Sequence, residues 1–286
     1  MEKENFNFAF FGTSEFSVGV LEALKKKRLS PSLIITVPDA PKGRKLLLTP
    51  PPVKMWAQKN NIRIAQPKKL DRDFANKLKA KSYNLFIVAS YGKIIPASIF
   101  EIPTHKTLNV HPSLLPRLRG ASPIQGAILE ENETGVTIMR IDAEMDHGPI
   151  IAQEKVPMEP WPTRADILEN ILAQKGGALL ADVLPKWIAG KMTAKEQVHS
   201  KATYTQLVKK KDGLIEVEEN PEKNWKKFLA YTQWPGVYFF TERNRKKIRV
   251  IIKDAVYNKE KFLITRVLPE GGKEMSYDDF LRGKHS

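Results

Sequence analysis

The 286-residue chain contains no cysteine. A disulfide framework and a thiolate zinc site are therefore excluded, and the composition suits a reducing compartment. No apolar run approaches the roughly 20 residues that a membrane-crossing helix needs. The opening MEKENFNFAFFG mixes acidic residues with one short apolar run. No signal peptide is expected from it, and the protein is expected to be cytoplasmic. Histidine is scarce, with five in the chain. The spacing of His111, Asp146 and His147 matches no common ligand pattern, so no metal is expected. The G-x-G-x-x-G cradle is also missing, since Gly12 stands alone after the first predicted strand. That argues against a nicotinamide or flavin enzyme.

What the chain has in excess is positive charge, +15 overall. Residues 190–286 carry 21 basic and 13 acidic side chains, so the excess is densest there. A polyanionic partner is expected, nucleic acid before membrane. A lysine-rich solvated surface is the competing explanation.

The hydrophobic pattern alternates strand with helix. Phe6 to Phe11 reads as a strand, and Phe16, Val20, Leu21 and Leu24 recur at helical spacing after Thr13 and Ser14. Leu33 to Val37 is a second strand, giving a right-handed parallel crossover. Pro38 to Lys54, rich in proline and carrying Lys42, Arg44 and Lys45, reads as a loop rather than an element. Tyr83 to Ser90 is a strongly apolar central strand. Tyr91, Gly92 and Lys93 follow at its carboxyl end, the edge where open parallel sheets bind ligands. Ser122, with Gln125 at the capping-box position, predicts a helix to about Glu131. The fold class expected is α/β: a Rossmann-like domain with a parallel-rich sheet over 1–189, then a polar linker over 190–207. Residues 208–286 are β-rich, open with the basic run Lys209, Lys210 and Lys211, and fit a small OB-like barrel.

Two stretches carry the chemistry. In LNVHPSLLPRLRG, Leu108 to Gly120, Asn109 and His111 stand two residues apart. On an extended segment they share a face, and Pro112 keeps His111 extended. An amide and an imidazole together can polarise a carbonyl. In GVTIMRIDAEMDHGPII, Gly135 to Ile151, a buried strand leads to Asp142 and Asp146 in a short loop. Asp146 is the candidate carboxylate to orient His111 or a water and to accept a proton.

The pattern N-x-H-x-S-L-L-P-x-x-R-G, followed by G-V-T-I-M…D-x-x-x-D-x-G, resembles the 10-formyltetrahydrofolate-dependent formyltransferases. The resemblance implies that Asn109, His111 and Asp146 are a catalytic trio and that 10-formyltetrahydrofolate is the co-substrate. It places the folate against Ala89, Ser90, Tyr91 and Gly92 and along the bend Ser113, Leu114, Leu115 and Pro116. It also implies that the Pro38 to Lys54 loop enters a tRNA acceptor stem, with Lys42 and Arg44 on phosphates or terminal bases. Lys45 and the Lys209 to Lys211 run would add to that surface. The acceptor implied is initiator methionyl-tRNA, and a monomer is expected. Two departures stand out. Leu118 occupies a position where the family often has tryptophan, and Asp146-His147-Gly148-Pro149 replaces the frequent D-T-G-D. An amino sugar nucleotide is the alternative acceptor. A third reading is an RNA-binding protein with a decayed catalytic domain, against which the intact trio argues.

Overall fold

The computed structural model describes residues 7–43, 46–243 and 245–283. They form two units. One comprises the described residues up to 120 with 133–157 and 169–204, and the other 121–132, 158–168 and the described residues from 205 on. The units interleave along the chain, whereas the sequence suggested consecutive stretches.

The first unit is built on β1 (Phe8–Gly12), α1 (Glu15–Lys26) and β2 (Leu33–Ile35), the expected crossover. The small ribbon β3 (Ala40–Lys42) and β4 (Leu47–Thr49) follows, then α2 (Pro52–Lys59), β5 (Arg63–Ala65) and α3 (Arg72–Lys79). Next come β6 (Leu85–Ala89), the short α4 (Ala97–Phe100), β7 (Thr107–His111) and the two-residue β8 (Arg119–Gly120). After α5 (Pro123–Glu130), which belongs to the second unit, come β9 (Gly135–Arg140), β10 (Ile150–Lys155) and the long α6 (Ala165–Ile188), whose residues from 169 on belong to the first unit. Seven strands make one sheet in the order β10-β9-β7-β6-β1-β2-β5. The pairings from β5 to β7 are parallel, and those of β9 with β7 and β10 are antiparallel. β1 and β6 are buried along their whole length. That explains their unbroken apolar sequences, since both faces of a central parallel strand are covered.

Alternation assigns the two faces. Ala9, Phe11, Phe86 and Val88 join Ala75, Leu78, Ile99 and Phe100 in one core layer. On the other face α6 comes close enough that a Cβ on Gly176 would lie 2.6 Å from Val110. One on Gly177 would lie 2.6 Å from Ala23 of α1. Glycine there lets the helices lie against the sheet and each other. Since Val110 faces α6, the period of two turns Asn109 and His111 to the opposite face.

The proline-rich segment after β2 is not structureless. β3 and β4 pair antiparallel, with Lys42 opposite Leu47 and Pro41 opposite Leu48. A two-stranded ribbon has two open edges, so proline can sit in it without breaking a ladder. At its stem Lys54 Nζ lies 2.7 Å from Asp39 Oδ2, and Gln66 Nε2 donates to Asp39 Oδ1 at 2.8 Å. The Gln66 hydrogen bond, then the Lys54 ammonium, hold the Asp39 carboxyl below its ordinary range.

The second unit holds α5, α7 (Pro221–Ala230), β12 (Tyr238–Arg243), β13 (Lys246–Tyr257), β14 (Phe262–Pro269), β15 (Met275–Ser276) and α8 (Tyr277–Arg282). The remaining strand, β11 (Tyr204–Thr205), pairs with β8. β12 to β15 form a separate antiparallel sheet in chain order. Phe228 of α7 meets Phe262 of β14 at 6.2 Å between ring centroids, and Val250, Ile252 and Val267 are buried with them. These pairings make an antiparallel meander, and Leu214 adds a parallel bridge to Tyr238 of β12. Ser122 stands before α5 as expected, but its hydroxyl accepts from the Val208 N–H and makes no helix cap.

Candidate active site

β7 delivers Asn109 and His111 from the middle of the sheet, with Asn109 registered against Val88 of β6 and Met139 of β9. His111 is only 4% exposed. Its Nε2 lies 3.1 Å from the Leu118 carbonyl. A carbonyl can only accept, so Nε2 carries a proton. Its Nδ1 faces Asp146 Oδ1 at 3.5 Å, and Asn109 Nδ2 approaches the same oxygen at 3.4 Å. The three residues expected together therefore meet at one carboxylate oxygen. At these separations the contacts orient the groups without being short bonds.

Asp146 reaches this place through a left-handed turn, with φ at +52°. Its second oxygen, Oδ2, accepts from the Gly120 N–H at 2.8 Å. Gly148 closes the turn, and a Cβ there would strike the Arg140 carbonyl. Pro149, in place of the frequent acidic residue, still supports the loop, because its carbonyl accepts from the Arg140 N–H at 2.9 Å. Asp142 does not join the trio and pairs with His147 Nδ1 at 2.7 Å.

The Ser113 to Pro116 bend is pinned from below. Thr137 Oγ1 donates to the Ser113 carbonyl at 2.6 Å and accepts from the Leu115 N–H at 3.2 Å. Gln153 Nε2 donates to the Leu115 carbonyl at 2.9 Å. Leu118, where tryptophan was the family expectation, is buried with φ at +59°. Its N–H donates to Thr203 Oγ1 while its carbonyl holds His111. It serves through its backbone.

At the carboxyl end of the neighbouring β6, Ser17 Oγ donates to the Ala89 carbonyl at 2.6 Å, and Thr13 Oγ1 donates to the Tyr91 carbonyl at 2.7 Å. Ser90 and Gly92 both take positive φ and are exposed. Tyr91 is turned inward, edge-on to Phe11. Burial pushes its hydroxyl up to about 12. This turn lies where the chain order of the sheet reverses, between β1 and β6, the usual ligand crevice of an open α/β sheet.

Of the basic residues singled out, Lys42 is exposed on β3, and Lys209, Lys210 and Lys211 are exposed in the second unit. Arg44 and Lys45 lie outside the described residues. Among the described residues, no group of three or more His, Asp or Glu could hold a metal ion, and no helix is long and apolar enough to cross a membrane. Sequence reasoning missed Thr137, Gln153 and Gln197. Thr137 left a trace as a polar residue between the apolar Val136 and Ile138 of β9; the two glutamines left none.

Residues 5–184 match the formyl transferase family. The chain is 42% identical to the methionyl-tRNA formyltransferase of Chloroflexus aurantiacus over 81% of this chain and 75% of that one. The chain belongs to the methionyl-tRNA formyltransferase family. It is a formyl-transferring enzyme, and its likeness to the Geobacillus member, at 34% identity, spans 96% of this chain and 93% of that one. Among solved structures, the methionyl-tRNA formyltransferase from Clostridium thermocellum has a TM-score of 0.62 at 16% identity, over 93% of this chain and 99% of that one. The Helicobacter canadensis N-formyltransferase, solved with folinic acid and dTDP-3-aminofucose, also has a TM-score of 0.62, at 19% identity, over 91% and 95%. At such identities these likenesses concern the fold alone, which this formyltransferase shares with enzymes of different acceptors.

Proposed function

We propose that the enzyme transfers the formyl group of 10-formyltetrahydrofolate to the α-amino group of initiator methionyl-tRNA, in the cytoplasm and as a monomer. The observation that carries this reading is the meeting of Asn109 and His111 at Asp146 Oδ1. The relatives' shared name supports the acceptor.

The neutral α-amine attacks the formyl carbon, forming the new C–N bond and placing negative charge on the formyl oxygen. Asn109 offers an amide N–H to that oxygen. His111 can add a second donor by exchanging one of its present partners, since catalytic hydrogen bonds often tighten only with substrate bound. Asp146 takes the proton from the attacking nitrogen after attack. Collapse breaks the bond from the formyl carbon to N10, and the proton is delivered to N10 as tetrahydrofolate leaves. The turn at 89–92 and the 113–116 bend would cradle the folate. Lys42, Arg44 and Lys45, with Lys209 to Lys211 from the C-terminal module over 208–286, would hold the tRNA by its phosphates. That module is proposed as the tRNA-binding part of the chain.

The test is formyl transfer to charged initiator methionyl-tRNA by the wild type, His111→Ala and Asp146→Ala. Transfer by the wild type and its loss in both variants is expected. Transfer only to an amino sugar nucleotide would replace the acceptor and keep the chemistry.

A further inference from the structure

We propose that Gln197, clamped by Arg119, is a positioning residue that sets the catalytic angle of Asp146. Gln197 comes from a segment that reads as polar linker and lies beyond the residues matching the family, 5–184. It is nevertheless only 5% exposed. Its Nε2 donates to two carbonyls of the catalytic loop, that of Asp146 at 2.9 Å and that of Gly148 at 2.7 Å. Its Oε1 accepts from Arg119 Nη2 at 2.7 Å and Nε at 3.2 Å. The amide therefore has one workable orientation, because a guanidinium can only donate and a carbonyl can only accept.

Arg119 is 1% exposed, and its Nη2 also lies 2.9 Å from His199 Nδ1. It sits next to Gly120, whose N–H holds Asp146 Oδ2. The loop is thus fixed twice, through its backbone by Gln197 and through its carboxylate by Gly120, and Arg119 connects the two. The segment is itself anchored, because Lys195 and Ile150 exchange both backbone hydrogen bonds at 2.8 Å. A residue with φ at +52° relaxes unless its surroundings hold it. Of the two carbonyls held by Gln197, one belongs to that residue and the other lies two residues on. Release would swing Oδ1 away from Asn109 and His111. A displacement near 1 Å at a reacting group can cost on the order of 100-fold in rate.

This inference rests on the proposed formyl transfer for one readout and is independent of it for the other. Gln197→Glu keeps the shape and the acceptor towards Arg119 but turns an oxygen on the two carbonyls; Gln197→Met removes both sets of bonds. For each variant the expected result is a kcat lower by about 10- to 100-fold with KM for 10-formyltetrahydrofolate within about twofold. Introduced into Asp146→Asn, Gln197→Glu should add less than about a threefold further loss, because both changes act through one carboxylate. The second readout needs no substrate: amide exchange of the peptides covering 142–150 and 118–121 should rise in Gln197→Met, with that of β1 and β6 unchanged. If wild-type transfer is absent, the proposed function fails while the exchange result still judges the positioning role. Unchanged exchange in the loop, an undiminished kcat, or a kcat loss of full size in the Asp146→Asn background would each overturn it. A general rise in exchange that includes β1 and β6 would do the same, by assigning Gln197 to overall stability.

Discussion

At the residue scale, the proposed site divides labour between groups that would touch the reaction and groups that hold them. Asn109 is the side chain best placed to donate to a developing oxyanion, because its long 3.4 Å contact to Asp146 leaves its other N–H uncommitted by that bond. Asn109→Ala should lower kcat about 100- to 1000-fold with little change in folate KM, measured by steady-state formyl transfer. Tyr91 poses a different question. Its buried hydroxyl has no hydrogen-bond partner among the described residues. Tyr91→Phe should therefore be at least as stable at neutral pH, by up to about 1 kcal/mol. Burial raises the folded hydroxyl from 10.0 to about 12. The neutral form is thus favoured in the fold, and this contribution is complete below pH 10 and lost as pH rises towards 12. Urea unfolding of both proteins from pH 8 to 11.5 should show the wild type losing stability faster than the Phe variant. Parallel curves would mean that Tyr91 ionises in the fold as it does in water.

At the element scale, the placement of the Asp146 carboxylate depends on how a strand ends. β9 stops at Arg140, and the chain returns so tightly that Gly148 lies against the Arg140 carbonyl. Gly148→Ala should cost about 1–3 kcal/mol in urea unfolding, because backbone and not a flexible side chain must give way. Formyl transfer should fall with it, since Asp146 moves with the loop. Full activity at full stability would show that the loop can shift without moving the carboxylate. The ribbon β3–β4 is the contrasting element. Its leucines 46, 47 and 48 are 71%, 65% and 69% exposed, so burial does not hold it. The Asp39–Lys54 pair and Gln66 define its stem instead.

At the scale of the whole molecule, charge is the dominant property. A net charge of +15, with exposed lysines at 42 and 209–211, predicts salt-sensitive tRNA binding. The logarithm of affinity should fall linearly with the logarithm of salt concentration. Lys42→Ala should reduce the steepness of that slope by about one counterion, and Lys209→Ala should do likewise if the second unit shares the work. A slope unchanged in both variants would place the tRNA elsewhere on the protein. Binding that ignores salt would remove the polyanion reading altogether.

The sequence by itself determined what local periodicity and backbone chemistry encode. The apolar runs marked β1 as a strand and β6 as a central strand, and the two-residue spacing of Asn109 and His111 put them on one face. Asn220 before Pro221 even carried the start of α7, where the Asn220 side chain accepts from the Lys223 N–H. A cap and a proline leave no trace in hydrophobic spacing, so periodicity by itself does not mark that start. Tertiary structure decided every contact made across the chain. Asp146 meets Asn109 from 37 positions away, and Gln197 grips the Asp146 carbonyl from 51. Gln197 looked like linker because a polar side chain satisfied by distant backbone has the same local sequence as one satisfied by water. The ribbon within the proline-rich segment was hidden for a related reason. Its stem is fixed by charges and hydrogen bonds at Asp39, Lys54 and Gln66, not by an apolar period.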